Sequence, residues 1–296
     1  MSVDAVPVRL PSVATPPART PAWNRLLRSR SGQLGVLLTG IVLVGALAAA
    51  VGLLPHDPIA QHPAARLGVP SGQYWFGTDQ FGRDVYARCL AGAKASLQVS
   101  ILAVLIATLI GTSLGLLAGW FGGWWDTVAM RLTDVFFAFP AILLAMTVVA
   151  ALGRGWFNVA IAVAIVYTPI FVRMARAPVL SLREVDYVQA GRLLGFSTAR
   201  LLLRHVLPNV GAIVIVQVTL ALSWAILTES ALSFLGLGTP PPAPSLGQMV
   251  SDAKPLAVVA PWTLFAPSAV IVLAVVGLNL LGDGLRDALD PTQGGQ

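Results

Sequence analysis

Charge is scarce in this sequence. Asp, Glu, Lys and Arg make up 11% of 296 residues, against about 25% in a soluble domain. Cys89 is the only cysteine, which excludes an intrachain disulfide and a cysteine-held metal cluster. There are three histidines, and His56 and His62 flank prolines without metal-ligand spacing, so both read as solvated loop residues. The chain has no G-x-x-x-x-G-K-[ST] loop, so it does not hydrolyse ATP in the P-loop manner. It has no nucleophile elbow, H-E-x-x-H sequence or paired catalytic carboxylates, and it reads as a non-enzyme. Short alternating strands are missing, which excludes a closed β-barrel. Ionisable groups inside the apolar runs are also few, whereas ion-coupled carriers usually bury several.

What is present is hydrophobic length. Mean hydropathy is +0.78. Uncharged runs cover 31–56, 95–125, 135–153, 155–172, 205–228 and 255–282. Each is close to the roughly 20 residues that cross a hydrocarbon core. The reading is an all-α membrane protein of six transmembrane helices, set in the lipid bilayer. The run 230–251 is rejected as a span because Gly236, Gly238 and Pro240–Pro242 break it. A cleaved signal peptide is not expected, because the first apolar run starts near Leu34 and is span-length.

Arginine placement sets the orientation. With the N-terminus inside, thirteen of nineteen Lys and Arg fall on inner segments, including six between Arg173 and Arg204. Both termini are then cytoplasmic. The net charge of +6 follows from this topology and does not point to nucleic acid.

In chain order, residues 1–33 form an inner tail, disordered over 1–22, with an interfacial anchor from Trp23 to Arg30. The first span is 34–54 and an outer segment is 55–95. In that segment Gly77-Thr78-Asp79 is read as a helix cap, with Asp79–Arg83 and Asp84–Arg88 as pairs one turn apart. Residues 96–283 form a five-span core. Its first span, 96–119, carries Ala103, Ala107, Gly111, Gly115 and Gly119 at four-residue intervals, a stripe that lets helices approach closely. Arg131 and Asp134 are placed to pair across one turn near the third span, which ends near Gly153. The fourth span, 156–172, contains Pro169 as a kink. The fifth span is 209–232 and the sixth 263–282, and residues 284–296 are an inner tail.

Two constellations stand out. The first is a loop, 173–208, whose residues 184–194 and 197–206 read as two short helices. Gly195 closes the first, Ser197 caps the second and Pro208 stops it. A compact basic helical pair between two spans is built to touch something outside the membrane. The second is a face of the fifth span with Gln217, Trp224 and Thr228, followed by Glu229, the one acid well inside an apolar run. These four are candidate translocation-path residues. For Glu229 a structural hydrogen bond and a gating role both stay open.

At this point the residues resemble a known family. Gln189-Ala190-Gly191, Gly195 and Leu207-Pro208 have the spacing of the EAA loop of permease subunits in binding-protein-dependent ATP-binding-cassette importers. Gln189 stands for the usual Glu and Gly191 for the usual Ala. The segments Gly77–Asp84, Met130–Asp134 with Phe139-Pro140, Leu232–Gly238 and Gly282–Asp287 with Asp290-Pro291 resemble the C-type subunit of its dipeptide/oligopeptide branch.

The resemblance implies a type I importer permease fold in the bacterial cytoplasmic membrane. It implies three kinds of partner: a paralogous permease subunit, two cytoplasmic P-loop ATPase subunits and an extracytoplasmic solute-binding protein. ATP and Mg would sit on the ATPases, with no cofactor on this chain. Glu184, Asp186, Tyr187, Val188, Gln189, Ala190, Gly191, Gly195, Phe196 and Pro208 would form the ATPase-coupling segment. The cargo implied is a di- or oligopeptide. Alternatives are another solute on the same fold, such as a nickel chelate or glutathione, or an ion-coupled secondary carrier.

Overall fold

The computed structural model describes residues 22–289. The expected disordered tail and the Asp290-Pro291 ending therefore lie largely or wholly outside the described residues. Apart from an isolated bridge between Thr78 and Asp84, the regular structure is helical. The long helices are α2 (Arg30–Ala50), α3 (Val85–Phe121), α6 (Trp156–Leu182), α9 (Leu207–Phe234) and α11 (Trp262–Leu289). The shorter ones are α1 (Ala22–Leu26), α4 (Gly123–Phe137), α5 (Ala141–Leu152), α7 (Asp186–Leu193), α8 (Thr198–Leu201) and α10 (Leu246–Ala253).

Among the described residues five helices are long and apolar enough to cross a membrane, and a sixth crossing exists if α4 and α5 act as one span. These two are bent by 93°. The third span, read from the uncharged run 135–153, is thus broken near its start. The break lies at Ala138-Phe139-Pro140. Pro140 has no N–H to donate and pushes Phe139 out of the helical region. By contrast, α6 continues through Pro169 and Pro178 and runs on past the expected boundary to Leu182.

The small-residue stripe of α3 does what its spacing predicts. A Cβ on Gly111 would come within 2.7 Å of the Thr168 carbonyl oxygen, and one on Gly115 within 2.4 Å of that of Val172. Helices α3 and α6 therefore meet backbone to backbone along most of their length, the most extensive pairing in the fold. A second close crossing joins α2 to α11, where a Cβ on Gly35 would lie 2.3 Å from the Leu281 amide nitrogen.

One end of the bundle carries residues 55–84 and α10, and the other carries α7 and α8. At the first end Asp79 holds Arg83 at 2.7 Å as expected. The other expected pair is absent. Asp84 is the N-cap of α3, accepting from the Tyr86 amide at 2.9 Å. Its second oxygen lies 2.7 Å from His56 Nδ1. Arg88 instead donates to the Pro58 carbonyl at 2.9 Å and lies 3.6 Å from Asp79. The helix thus begins at Val85 rather than at Gly77, and His56 is partnered rather than merely solvated. Capping chooses the acid whose backbone is extended, and the chain from Gly77 to Asp84 is a tight turn.

At the other end Asp134 pairs with Arg173, not with Arg131. Asp126 pairs with Arg176, whose Nη2 lies 2.6 Å from its Oδ2. Both bonds tie α4 to α6, because a carboxylate gains more from a guanidinium held on a packed neighbour than from a local partner.

Candidate functional site

The helical pair between the fourth and fifth spans is present: α7 over Asp186–Leu193 and α8 over Thr198–Leu201. Gly195 has φ +76° and turns the chain between them. The Ser197 hydroxyl caps α8 by accepting from the Arg200 amide at 3.4 Å. Pro208, however, does not stop the second helix. Leu202–Val206 forms a π-helical turn in which the Leu207 N–H donates to the Leu202 carbonyl. Pro208 then falls in the first turn of α9, where a missing N–H does no harm. The segment is thereby joined to the fifth span as a continuous rod from Thr198 to Phe234.

The pair is rooted and exposed at once. Val188, Leu201, Leu202 and Val206 are buried against Leu116, Trp120, Ala175 and Val179 of α3 and α6. Gly191 is buried too, and a Cβ there would sit 2.8 Å from a Leu201 methyl. Arg183 Nη1 donates to the Gly119 carbonyl at 3.0 Å, and the Arg192 guanidinium lies 4.2 Å from the Trp120 ring centroid. The Gln189 amide turns back onto the Arg183 carbonyl at 3.0 Å. Glu184 takes the Arg183 Nε–H at 2.9 Å and projects outward. Asp186, Tyr187, Ala190, Phe196 and Pro208 are exposed. At the tip Leu193 is 90% and Leu194 75% exposed. These two neighbouring leucines put an apolar patch at the tip of the pair.

The four path candidates are not brought together. Trp224 is 57% exposed on the flank of α9 and Gln217 is half-buried. Thr228 and Glu229 face inward. The Thr228 hydroxyl lies 3.0 Å from that of Tyr167 and donates to the Trp224 carbonyl at 2.9 Å. Glu229 is 4% exposed. It accepts from Ser96 at 2.6 Å and from Ser233 at 2.7 Å. Ser96 is distant in sequence, on α3, and only packing brings it to the acid. Asn279, inside the sixth span, similarly donates to Ser223 at 2.8 Å across the α9–α11 contact.

Residues 111–294 match the family of binding-protein-dependent transport system inner membrane components. The chain belongs to that family. It is 43% identical over 272 residues to the dipeptide transport system permease protein DppC of Alkalihalophilus pseudofirmus, covering 91% of this chain and 88% of that protein. It is equally 43% identical over 286 residues to the glutathione transport system permease protein GsiD of Escherichia coli O1:K1, covering 95% and 94%. In structure it resembles a chain of the methionine ABC transporter MetNI in its inward-facing conformations. The TM-score is 0.52 at 17% identity, covering 68% of this chain and 96% of that one. The fold is that of an importer permease, and the chain is a multi-pass transport subunit of an ABC importer. Family membership sets aside the self-contained, ion-coupled carrier.

Proposed function

We propose that this subunit forms half of the translocation path of an ATP-driven importer of di- or oligopeptides in the bacterial cytoplasmic membrane. A paralogous permease supplies the other half. Two cytoplasmic P-loop ATPases carry ATP and Mg, and an extracytoplasmic binding protein delivers cargo. The two termini and α7–α8 lie in the cytoplasm, as the arginine distribution suggests. Segment 184–208 receives the ATPase motion.

One observation carries the coupling reading. The base of α7–α8 is packed on α3 and α6, while its tip is bare leucine and arginine. A tip displaced by a partner would then move the bundle, since packed interfaces shift between discrete arrangements instead of absorbing strain. The partner must bind the two arrangements with different affinity, or nothing is driven.

The test is Gly195→Pro, with charge reversal at Glu184 and Asp186 as a gentler variant. Proline fixes φ near −65° and is incompatible with +76° at this turn. Cargo uptake by the assembled transporter falls by at least about tenfold, equivalent to about 1.4 kcal/mol of lost coupling, while membrane insertion is retained. Unchanged uptake in both variants would refute the coupling role. Glutathione is the second cargo reading, favoured by the equal identity to a glutathione permease.

A further inference from the structure

We infer that the outer end of this chain holds a binding pocket for small zwitterionic peptides, with Lys94 taking the terminal carboxylate and Asp57 the terminal ammonium. The inference rests on the importer reading above and adds to it a site on this chain and the residues that hold each end of the peptide.

The pocket is a cavity of about 500 Å³ between the end of α2, the first turns of α3, the start of α6 and the 239–244 loop. A second cavity, of about 410 Å³ between α3, α4 and α6, makes a useful contrast. It is lined by residues such as Ile110, Leu114, Leu132 and Phe136 and suits a hydrocarbon chain. The outer cavity instead presents Lys94, Asp57, Gln98, Trp156 and Thr239. Specific ligand sites have this make-up, an apolar wall with a few placed polar groups.

Both charges are available. Lys94 has no hydrogen bond or ion pair among the described residues. Asp57 Oδ1 accepts from the Ile59 amide at 2.9 Å, and its other oxygen is without a protein partner among the described residues. His56, also on the wall, is occupied by Asp84 at 2.7 Å. A cation and an anion facing one cavity without meeting each other select a ligand that carries both charges at separate ends. Size narrows the choice. A cavity of 500 Å³ equals a sphere about 10 Å across, and an extended chain spans about 3.3–3.6 Å per residue. Two or three residues match a cavity of that width. The Trp156 indole offers an apolar face and Gln98 an amide for the peptide bonds between them.

The sequence offers a clean assay, because Lys94 and Lys254 are its only lysines. Lys254 is the internal control, its Nζ 4.3 Å from the Phe234 ring centroid and away from the pocket. The complete transporter in phosphatidylcholine nanodiscs is treated with a membrane-impermeant amine acylating ester, and acylation at each lysine is read by mass spectrometry. Trialanine is the probe, and trialanine amide consumes the reagent equally. Trialanine lowers the Lys94-to-Lys254 acylation ratio by at least about threefold at concentrations above its dissociation constant, and the amide does not. N-acetyl-trialanine protects less, and Asp57→Asn brings trialanine down to its level.

Equal protection by the amide, or none by either peptide, overturns the site. Protection without peptide in phosphatidylglycerol nanodiscs assigns Lys94 to a lipid phosphate and also overturns it. ATP-driven uptake and its loss in Gly195→Pro are measured on the same purified complex in sealed phosphatidylcholine vesicles. An unprotected Lys94 with intact coupling removes the pocket alone, whereas absent coupling removes the reading beneath it.

Discussion

The two ends of this bundle are built on opposite plans. At the end that carries residues 55–84 the polar groups largely close on one another. Asp79 takes Arg83 and Arg88, Asp84 takes His56, and Trp262 donates its indole N–H to the Thr78 carbonyl at 3.1 Å. At the α7–α8 end the base is packed but the tip exposes Leu193 and Leu194, and Phe196, Arg200, Arg204 and His205 line an open cavity of about 350 Å³. A closed network specifies one conformation of a segment that has few apolar contacts of its own. An open tip leaves interaction energy to be gained on association. Stability and function should therefore separate along the molecule, with stability depending more on the 55–84 end and coupling more on the tip.

The largest effect is expected in the spine that both ends share. Gly115→Leu drives a side chain into the Val172 carbonyl, which α6 cannot withdraw. It should cost at least about 3 kcal/mol, the upper range for overpacking, and be seen as loss of the thermal transition in detergent. Retention of wild-type Tm would mean that α3 and α6 separate more easily than their contact implies.

Arg88→Ala comes next. The side chain is 4% exposed and bridges Asp79 and Pro58. Asp79 keeps Arg83, so what is lost is the charged hydrogen bond to the Pro58 carbonyl, about 1.5–3 kcal/mol, and Tm drops while ATPase assembly persists in the folded fraction. Glu229→Ala is smaller. It strips the acceptor from Ser96 and Ser233, and unsatisfied buried groups cost about 1–3 kcal/mol. Normal stability together with normal uptake would remove Glu229 from both its structural and its path role.

The smallest change in stability belongs to the double variant Leu193→Ala, Leu194→Ala. Exposed side chains shift stability by about 0.5 kcal/mol or less. Yet ATPase co-purification and uptake should fall sharply. A variant that lost Tm but kept uptake would reverse the comparison between the two ends.

Much of this was legible beforehand because the signals were local. Uncharged length marked the spans, four-residue spacing marked the α3 face, and Gly195 marked a turn needing positive φ. The failures share a cause. Arg131 and Asp134 are one turn apart, but Arg173 on a packed helix is the better partner of Asp134. Asp84 and Arg88 have ideal spacing, but His56 reaches Asp84. Pro208 looks like a stop, but a π turn absorbs it. Proximity in sequence is one bid for a side chain, and folding brings others. For the pocket, the only hint was Lys94 standing at the edge of the 95–125 uncharged run. Nothing in sequence brings Asp57 or Trp156 to it.

The sequence by itself determined an all-helical membrane permease with a basic helical pair between its fourth and fifth spans. Hydrophobic length and backbone hydrogen bonding leave an apolar chain few ways to cross a bilayer. Only the tertiary structure decided where α4 and α5 break, which carboxylate each arginine holds, and which serines surround Glu229. These depend on helices distant in the chain meeting at particular heights, and no local pattern encodes that register.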